Sequence, residues 1–264
     1  MLATRQHGPV TEIRLARQIW GRMYKDVCAY HVGATLIDSG PPATAGEIRR
    51  WAQTHPVQTV VNTHHHEDHV GGNAALFAAL GVEPLAPAAA LAALNSPPRI
   101  PLYCRVVWGS PRPVQAQALG PVLELDEYCF RVIPTPGHSP DHVCLYEPQR
   151  KWLFGGDVFV HERVKYIRRS EDIGLILESL HRLLSLDFDT LFCGHAGVIY
   201  EAHAAIERKI AWWTTIRQQV IELHDQGVSL PAIRDQVLGP EGVLTQISRG
   251  EFSKLNLVRS LITV

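Results

Sequence analysis

Histidine and aspartate are concentrated in one short stretch of this sequence. Just after the apolar residues 59–61, the chain carries the pattern H-x-H-x-D-H, whose donors are His64, His66, Asp68 and His69. Imidazole nitrogens and carboxylate oxygens are ligands for zinc and related cations. Burying so many polar groups without a cation would leave several of them unpaired. The run therefore predicts a metal site, and a solvated histidine-rich loop is the alternative.

Three later segments place single donors in similar surroundings. His138 lies in the turn T-P-G-H-S-P-D-H, Asp157 ends the stretch L-F-G-G-D, and His195 ends the stretch L-F-C-G-H. Each donor follows an apolar run that reads as a strand, and each has a nearby glycine that allows close backbone approach. Because the ends of strands in one sheet share an edge, we expect these donors to meet the first cluster.

The elements that must position these donors alternate along the chain. Short β-rich runs predict strands at Val10–Leu15, Val27–Asp38, Thr59–Asn62, Val122–Leu125, Tyr128–Pro134, His142–Tyr146, Trp152–Phe154 and Thr190–Cys193. Helical spacing and caps predict helices at Ala43–Thr54, Asn73–Leu80 and Glu171–Leu186, and then three more at 206–223, Leu230–Leu238 and Phe252–Ile262. The sequence therefore predicts an α/β body at residues 1–200 and a C-terminal helical extension at residues 201–264.

Composition excludes several classes of protein. The 264 residues are 46% hydrophobic, and 25 Lys and Arg nearly cancel 26 Asp and Glu, so no positive field would hold a nucleic acid. No window approaches the length of apolar chain that crosses a membrane. The five cysteines are scattered and contain no C-x-x-C pair, which predicts reduced thiols. We expect a cytoplasmic protein without a nucleic-acid or membrane partner.

At this point the sequence resembles the metallo-β-lactamase-fold hydrolases. That family's five signature elements occur here in order, as Asp38, the H-x-H-x-D-H run, His138, Asp157 and His195. The resemblance spans roughly residues 10–197. It implies a four-layer αββα sandwich, with two sheets back to back, helices on both outer faces and the metals at one edge. Helices like those after residue 200 occur in several branches of the family.

The resemblance also implies how the donors divide between two metals. By this resemblance, one metal is held by His64, His66 and His138, the second is held by Asp68, His69 and His195, and Asp157 bridges the two. Zinc is the expected metal because imidazole favours it, while a bridging carboxylate also tolerates Mn²⁺ or Fe²⁺. Two cations about 3.5–4 Å apart can lower the pKa of a bridging water and neutralise charge on the attacked group.

A metal-bridging hydroxide that attacks an ester, thioester or lactone is the expected chemistry, with Asp68 orienting the hydroxide. Cleavage of a phosphodiester, phosphotriester or sulfate ester is the alternative. Asp157 matches the glyoxalase II-like, lactonase-like and phosphodiesterase-like branches, and it disfavours antibiotic hydrolysis. His66 disfavours the di-iron redox branch, where glutamate is typical. The balanced charge disfavours the RNA-processing branch, so we expect a small-molecule substrate, and a homodimer is possible.

Several residues outside the ligand set are candidates for supporting roles. Asp38 is expected to hydrogen-bond a ligand imidazole or the metal loop, and a simple turn aspartate is the alternative. His65, Glu67 and His142 are expected to have structural roles. The stretch after Asp157 usually forms a wall of the pocket in this family, so the candidates for substrate contact or leaving-group protonation are His161, Tyr166 and Arg168. The proline-rich segment Pro97–Ala118 is either a lid or a surface excursion.

Overall fold

The computed structural model of the protein describes residues 1–19, 22–125 and 127–263. Most of its strands belong to two large sheets. The strands are β1 (Leu2–His7), β2 (Val10–Ile19), β3 (Arg22–Val32), β4 (Thr35–Ile37), β5 (Thr59–Val61), β6 (Leu85–Ala86), β7 (Gln117–Ala118), β8 (Val122–Leu125), β9 (Tyr128–Pro134), β10 (Val143–Glu147), β11 (Trp152–Gly156), β12 (Ile167–Arg168), β13 (Thr190–Cys193), β14 (Gly197–Ile199) and β15 (Phe252–Ser253).

The first sheet contains β1 to β7 in chain order, antiparallel as far as β4 and parallel from β4 to β7. The second sheet has the order β14-β13-β11-β10-β9-β8, and only its β11–β13 pair is parallel. Strands β12 and β15 form a separate antiparallel pair. This last pairing joins the segment after Asp157 to the C-terminal part of the chain.

The helices cover the outer faces of the two sheets. They are α1 (Ala45–Ala52), α2 (Glu67–Val70), α3 (Asn73–Leu80), α4 (Leu91–Asn95), α5 (Leu102–Val107), α6 (Ile173–Leu184), α7 (Ala202–Asp225), α8 (Leu230–Val237), α9 (Val243–Ile247) and α10 (Lys254–Thr263). Two short 3₁₀ turns precede α1 and α4. The sequence explains the start of α6, where the Asp172 side chain accepts a hydrogen bond of 3.0 Å from the Leu175 N–H.

Side-chain alternation along the strands separates the core into layers. In β11, Phe154 packs between the two sheets against Tyr30 of β3, while Leu153 points outward to the layer of α6 and α7. In β13, Phe192 likewise packs between the two sheets, and Leu191 points outward to the helices. On the far side of the first sheet, another cluster contains side chains of β2, β4, α1 and α3. Because successive strand residues point to opposite faces, one sequence can fill both layers.

The expected four-layer αββα architecture is confirmed, with some differences in its elements. The predicted strand Val27–Asp38 is two strands, because Gly33 adopts φ +59° and the chain reverses between β3 and β4. The start of the predicted helix Phe252–Ile262 is instead strand β15. Sequence patterning missed β1, whose side chains are mostly exposed and give no alternation. It also missed α2, α4, α5, α9, β14 and the two-residue strands, which are too short to carry a period.

The C-terminal helices pack on the second sheet and on α6. Ile206 and Trp213 of α7 lie in the same buried cluster as Leu153 and Leu180. A division of the chain at residues 200 and 201 into two domains stays a prediction. Among the helices of the described residues, none is both long and apolar enough to cross a membrane.

Candidate metal centre and its cavities

The H-x-H-x-D-H run forms a tight loop and one turn of helix at the end of β5. His66 has an extended backbone and begins α2, where its carbonyl accepts hydrogen bonds from the N–H groups of His69 and Val70. His64 and His66 therefore precede the helical turn, and Asp68 and His69 lie within it. This change from loop to helix sends the four donors in two directions.

The first group of donors consists of three buried imidazoles. His64 Nε2 lies 3.0 Å from His66 Nδ1, which lies 2.9 Å from His138 Nε2. The turn after β9 brings His138 to this position from 72 residues along the chain. Three nitrogens that converge this closely cannot all hold protons between them, so the arrangement suits a shared cation.

The second group contains the remaining histidines and both aspartates. His195 Nε2 lies 3.3 Å from Asp157 and 3.5 Å from Asp68, and His69 Nε2 lies 3.3 Å from Asp157. Asp157 Oδ2 is also 3.4 Å from His138 Nε2, so this carboxylate touches both groups. If each residue offers one metal-ligating atom, the ligating atoms of each group all lie within 4.8 Å of one another.

The chemistry of this donor set fits bound cations. The atoms Asp68 Oδ1, Asp157 Oδ1 and His69 Nε2 are buried and have no hydrogen-bond partner. Buried polar atoms are nearly always hydrogen-bonded, and leaving these three unpaired would cost stability. Oxygen and imidazole nitrogen are ligands that Zn²⁺, Mn²⁺ and Fe²⁺ accept. We call the seven residues of the two groups the His/Asp floor.

Electrostatics differ between the two groups. Burial, with further repulsion from neighbouring charged groups, lowers the pKa of His64 and of His66 well below the usual value. Burial also disfavours charge on Asp68, but the hydrogen bond and charge of His195 and the charge of His69 outweigh it and lower the Asp68 pKa to about 2. His64 and His66 are therefore neutral imidazoles, whereas the second group pairs carboxylates with imidazoles.

Most of the floor imidazoles are fixed through their other ring nitrogen. His69 Nδ1 lies 2.7 Å from Asp38, His64 Nδ1 lies 3.0 Å from the Thr63 hydroxyl, and His138 Nδ1 lies 2.9 Å from Glu171. Such partners set the tautomer and leave Nε2 free for a metal. Asp38 therefore occupies the expected position beside a floor histidine, whereas Glu171 and Thr63 had no signal in the spacing of the sequence.

Asp38 also supports the loop itself. Its two carboxylate oxygens accept hydrogen bonds of 2.9 Å from the Thr63 N–H and the Thr63 hydroxyl. The backbone of Asp38 has φ +60°, a left-handed conformation that aspartate and asparagine tolerate better than most residues. Asp38 is thus both a turn residue and the partner of His69.

His142 holds the backbone of Asp157 in place. Its Nε2 accepts a hydrogen bond of 3.0 Å from the Asp157 N–H, and its Nδ1 lies 2.8 Å from the Thr135 hydroxyl. Burial, followed by the charge of His138, lowers the pKa of His142 to about 3, so the ring is neutral and can accept. His142 lies in the expected structural position, outside both donor groups.

A glycine is needed beside the floor. A Cβ atom on Gly194 would lie 2.7 Å from Asp157 Oδ1 and 2.8 Å from the His69 ring, which is closer than real Cβ atoms come. Because residue 194 is glycine, the turn after β13 can pass directly against Asp157 and His69 before the chain reaches His195. This gives a physical reason for the glycine that the sequence places next to His195.

The main cavity lies above the His/Asp floor and has a volume of about 450 Å³. Asp68, His138, Asp157 and His195 open onto it. Most of its remaining wall is apolar and comes from distant parts of the chain: Val107, Trp108, Val158, Val160, Val164, Ile167, Ile176, Trp213, Leu244 and Phe252. A concave apolar site with a few convergent polar groups suits a small organic ligand.

One buried lysine ties the C-terminal extension to this wall. Lys209 of α7 is 2% exposed, and its Nζ donates hydrogen bonds to the carbonyls of Phe159 (2.6 Å) and His161 (3.0 Å). Burial lowers the pKa of Lys209 to about 7. Between those carbonyls, Val160 has φ +54°, a strained conformation for a β-branched residue. Lys209 thus holds the turn that presents Val160 to the main cavity.

The structure places the three wall candidates differently. Tyr166 and Arg168 line the main cavity, and Arg168 also lies beside Glu67 of the H-x-H-x-D-H run. His161 is exposed, is not part of the cavity lining, and accepts a hydrogen bond from the Arg163 N–H. The segment Pro97–Ala118 contains α5 and contributes Tyr103, Val107 and Trp108 to the wall. The Trp108 ring lies 6.4 Å from the His195 ring.

Residues 31–195 match the family model of the metallo-beta-lactamase superfamily. A hydroxyacylglutathione hydrolase of Rhizobium meliloti is 32% identical over 168 residues, which cover 63% of this chain and 57% of the relative. A hydroxyacylglutathione hydrolase of Rhodospirillum rubrum is 33% identical over 156 residues, which cover 59% of this chain and 53% of the relative. The match thus spans only about half the length of these curated relatives.

Solved structures share the fold across nearly the whole chain. A metallo-beta-lactamase family protein of Thermus thermophilus has a TM-score of 0.69 at 20% identity and covers 97% of this chain and 93% of its own. A beta-lactamase domain protein of Burkholderia ambifaria has a TM-score of 0.70 at 17% identity, and the match covers 98% of this chain and 88% of the other. From the family model and the shared fold, the chain belongs to the metallo-beta-lactamase superfamily.

Proposed function

We propose that the chain is a dinuclear metal-dependent hydrolase that cleaves a small ester, thioester or lactone. The observation that carries this proposal is the convergence of seven His and Asp residues in two groups that share contacts with Asp157. The names of the sequence relatives support it, since hydroxyacylglutathione is a thioester. Acyl transfer to water is the reaction class that such a site serves.

Each donor group would hold one divalent cation, with Asp157 in contact with both. Zinc suits the imidazole-rich groups best, and Mn²⁺ or Fe²⁺ are alternatives. The bound cations would supply a water of lowered pKa and positive charge for the developing oxyanion. The proposed ligands are His64, His66 and His138 in the first group and Asp68, His69 and His195 in the second.

The protein's own residues would orient the reactants. Asp68 Oδ1 is buried without a partner and belongs to a residue that lines the main cavity, so it can accept a hydrogen bond from the attacking water. Asp38 and His142 keep His69 and Asp157 in position. Arg168 and Tyr166 line the same cavity and are the candidates for substrate contact.

The wall of the main cavity bears on the substrate class. A cavity of about 450 Å³ with mostly apolar lining favours a small, partly apolar acyl or leaving group over a polymer. A small-molecule substrate without nucleic acid is therefore part of the proposal. A cytoplasmic location is also part of it, and the free thiols of all five cysteines support a reducing compartment.

A substrate panel tests this function. Protein loaded with zinc or with manganese would be assayed on p-nitrophenyl esters, lactones, S-lactoylglutathione and phosphodiesters. We expect turnover of at least one carboxylic ester, thioester or lactone, and loss of that turnover after treatment with a chelator. Activity on phosphodiesters alone would replace the proposed substrate class with the alternative one.

A matched pair of variants separates the metal site from general damage. His66→Ala is expected to reduce metal content and abolish turnover, whereas His224→Ala changes an exposed histidine at the end of α7 and is expected to leave both unchanged. Metal content would be measured by elemental analysis and folding by circular dichroism. Full activity in the folded His66→Ala protein would refute the proposal.

A further inference from the structure

A second, smaller cavity shares the lining residue Arg168 with the main cavity. It has a volume of about 220 Å³, and we call it the side cavity. Arg168 lines both cavities, and His66 of the His/Asp floor also lines the side cavity. A group bound in the side cavity would therefore lie next to the residues proposed to hold the metals. The residues that define the cavity's charge are Arg99, Arg112, Arg168, Glu67 and His65.

Positive charge exceeds negative charge in this lining. Three arginines, Arg99, Arg112 and Arg168, line this cavity together with one carboxylate, Glu67, which lies 3.8 Å from Arg168. His65 Nδ1 lies 2.7 Å from Asp141 Oδ1. Within the described ranges, no carboxylate lies within 4.0 Å of Arg99 or Arg112. Arg99 and Arg112 are exposed and Arg168 is largely buried, so the lining offers guanidinium groups from the rim to the interior that can pair with an anion entering from solvent.

Arg168 itself has unused hydrogen-bonding capacity. Its side chain is 14% exposed, and its Nε is buried without a hydrogen-bond partner. Its Nη2 lies 3.8 Å from the carboxylate oxygen Glu67 Oε1. That distance is too long for a hydrogen bond, and Glu67 Oε1 is likewise buried without one. A buried guanidinium N–H without a partner costs stability unless a ligand or water supplies an acceptor.

The backbone around the side cavity is rigid. Pro97, Pro98, Pro101 and Pro111 all line it, and proline fixes its own φ and restricts the residue before it. The backbone that carries Arg99 and Arg112 therefore loses less conformational entropy when a ligand binds, and the binding cost falls mainly on the exposed arginine side chains.

We propose that the side cavity binds a carboxylate group on the substrate, with Arg99, Arg112 and Arg168 as the binding residues. The proposal rests on the proposed hydrolase function and names its substrate class: an ester, thioester or lactone that carries a free carboxylate a few atoms from the scissile bond. A guanidinium fork matches a carboxylate in two parallel hydrogen bonds. The apolar part of the same molecule would occupy the main cavity.

Two esters of equal length test this inference. In the metal-loaded enzyme, kcat/KM would be measured for mono-p-nitrophenyl glutarate, which ends in a carboxylate, and for p-nitrophenyl pentanoate, which ends in a methyl group. We expect the ratio of the two values to fall at least about tenfold in the double variant R99Q/R112Q. An unchanged ratio would overturn the proposal.

A matched double variant controls for the loss of two positive charges. R49Q/R131Q removes two exposed arginines that line neither cavity, and its ratio is expected to equal that of the unmodified protein. An equal fall in both double variants would assign the effect to long-range attraction and overturn the proposal.

The two proposals can fail separately. If neither ester is hydrolysed, isothermal titration of the metal-loaded protein with glutarate still tests the side cavity. Weaker binding by about tenfold or more in R99Q/R112Q, and not in R49Q/R131Q, would support a carboxylate site without the proposed hydrolase activity. Equal binding in all three proteins would overturn it.

Discussion

The floor of the main cavity comes from turns that directly follow strands, whereas its wall comes from segments that the chain brings together from far apart. His64, Asp157 and His195 each lie a few residues beyond β5, β11 and β13. Trp108 follows α5, and Trp213 belongs to α7, more than 100 residues later. The floor is therefore tied to the two sheets, and the wall depends on how helices and loops pack over them.

This difference predicts different consequences of mutation. Six of the seven floor residues are buried and His195 is partly exposed; they pack against one another and have further buried partners such as Asp38. Wall residues such as Val160 and Leu244 are only partly buried and have apolar neighbours. We expect changes in the floor to affect metal binding and turnover together, and changes in the wall to affect substrate preference while metal content is preserved.

The largest effect is expected from Asp157→Ala. This change removes the only described carboxylate that contacts both donor groups, so turnover should fall by roughly a thousandfold or more, with loss of bound metal. Activity assays and elemental analysis check it. Asp225→Ala, which changes an exposed aspartate at the end of α7, is the matched control. Turnover within tenfold of normal would contradict the division between floor and wall.

A smaller but still large effect is expected from Asp38→Asn. Asparagine tolerates the left-handed backbone at this position, but its amide would present N–H groups where Thr63 and His69 now donate. Metal affinity should fall about 10–100-fold, measured by competition with a chromophoric chelator. Unchanged affinity in the folded variant would mean that His69 needs no such partner.

Lys209→Met tests the link between the extension and the wall. Without the two hydrogen bonds to Phe159 and His161, the strained turn at Val160 should relax, so KM is expected to rise roughly tenfold while metal content stays normal. Arg208→Met, at an exposed neighbouring position paired with Glu162, is the control. A fall in metal content to the level of the Asp157 variant would remove the distinction between the two regions.

The smallest effect is expected from Leu244→Ala, which shortens one apolar side chain of the wall. A substrate whose chain contacts Leu244 should lose about 0.8 kcal/mol, or fourfold in kcat/KM, per methylene left uncovered. Turnover of p-nitrophenyl acetate would be compared with that of p-nitrophenyl esters that have longer acyl chains. Val243→Ala is the control because Val243 is 67% exposed. An equal change for all chain lengths would place Leu244 outside the acyl-binding wall.

Local patterns predicted much of the fold because each carried its own physical signal. Short β-rich runs predicted β9, β11 and β13, and β11 and β13 are apolar on both faces because each face contacts a buried layer. The spacing of isoleucines and leucines on one face predicted α6, and the cap at Asp172 emerged only in the structure. The two-residue strands β12 and β15 had no such signal, because pairing between distant segments, and not local preference, makes them strands.

The sequence by itself determined the donors: their types, their place after strands, and the glycines beside them. Only the tertiary structure decided their partners and surroundings. Glu171 reaches His138, Lys209 holds the turn at Val160, and three arginines line the side cavity. The physical reason is that ligand chemistry is a property of a short run of residues, whereas hydrogen bonds, cavities and clustered charge arise between segments whose spacing along the chain carries no information about their contact.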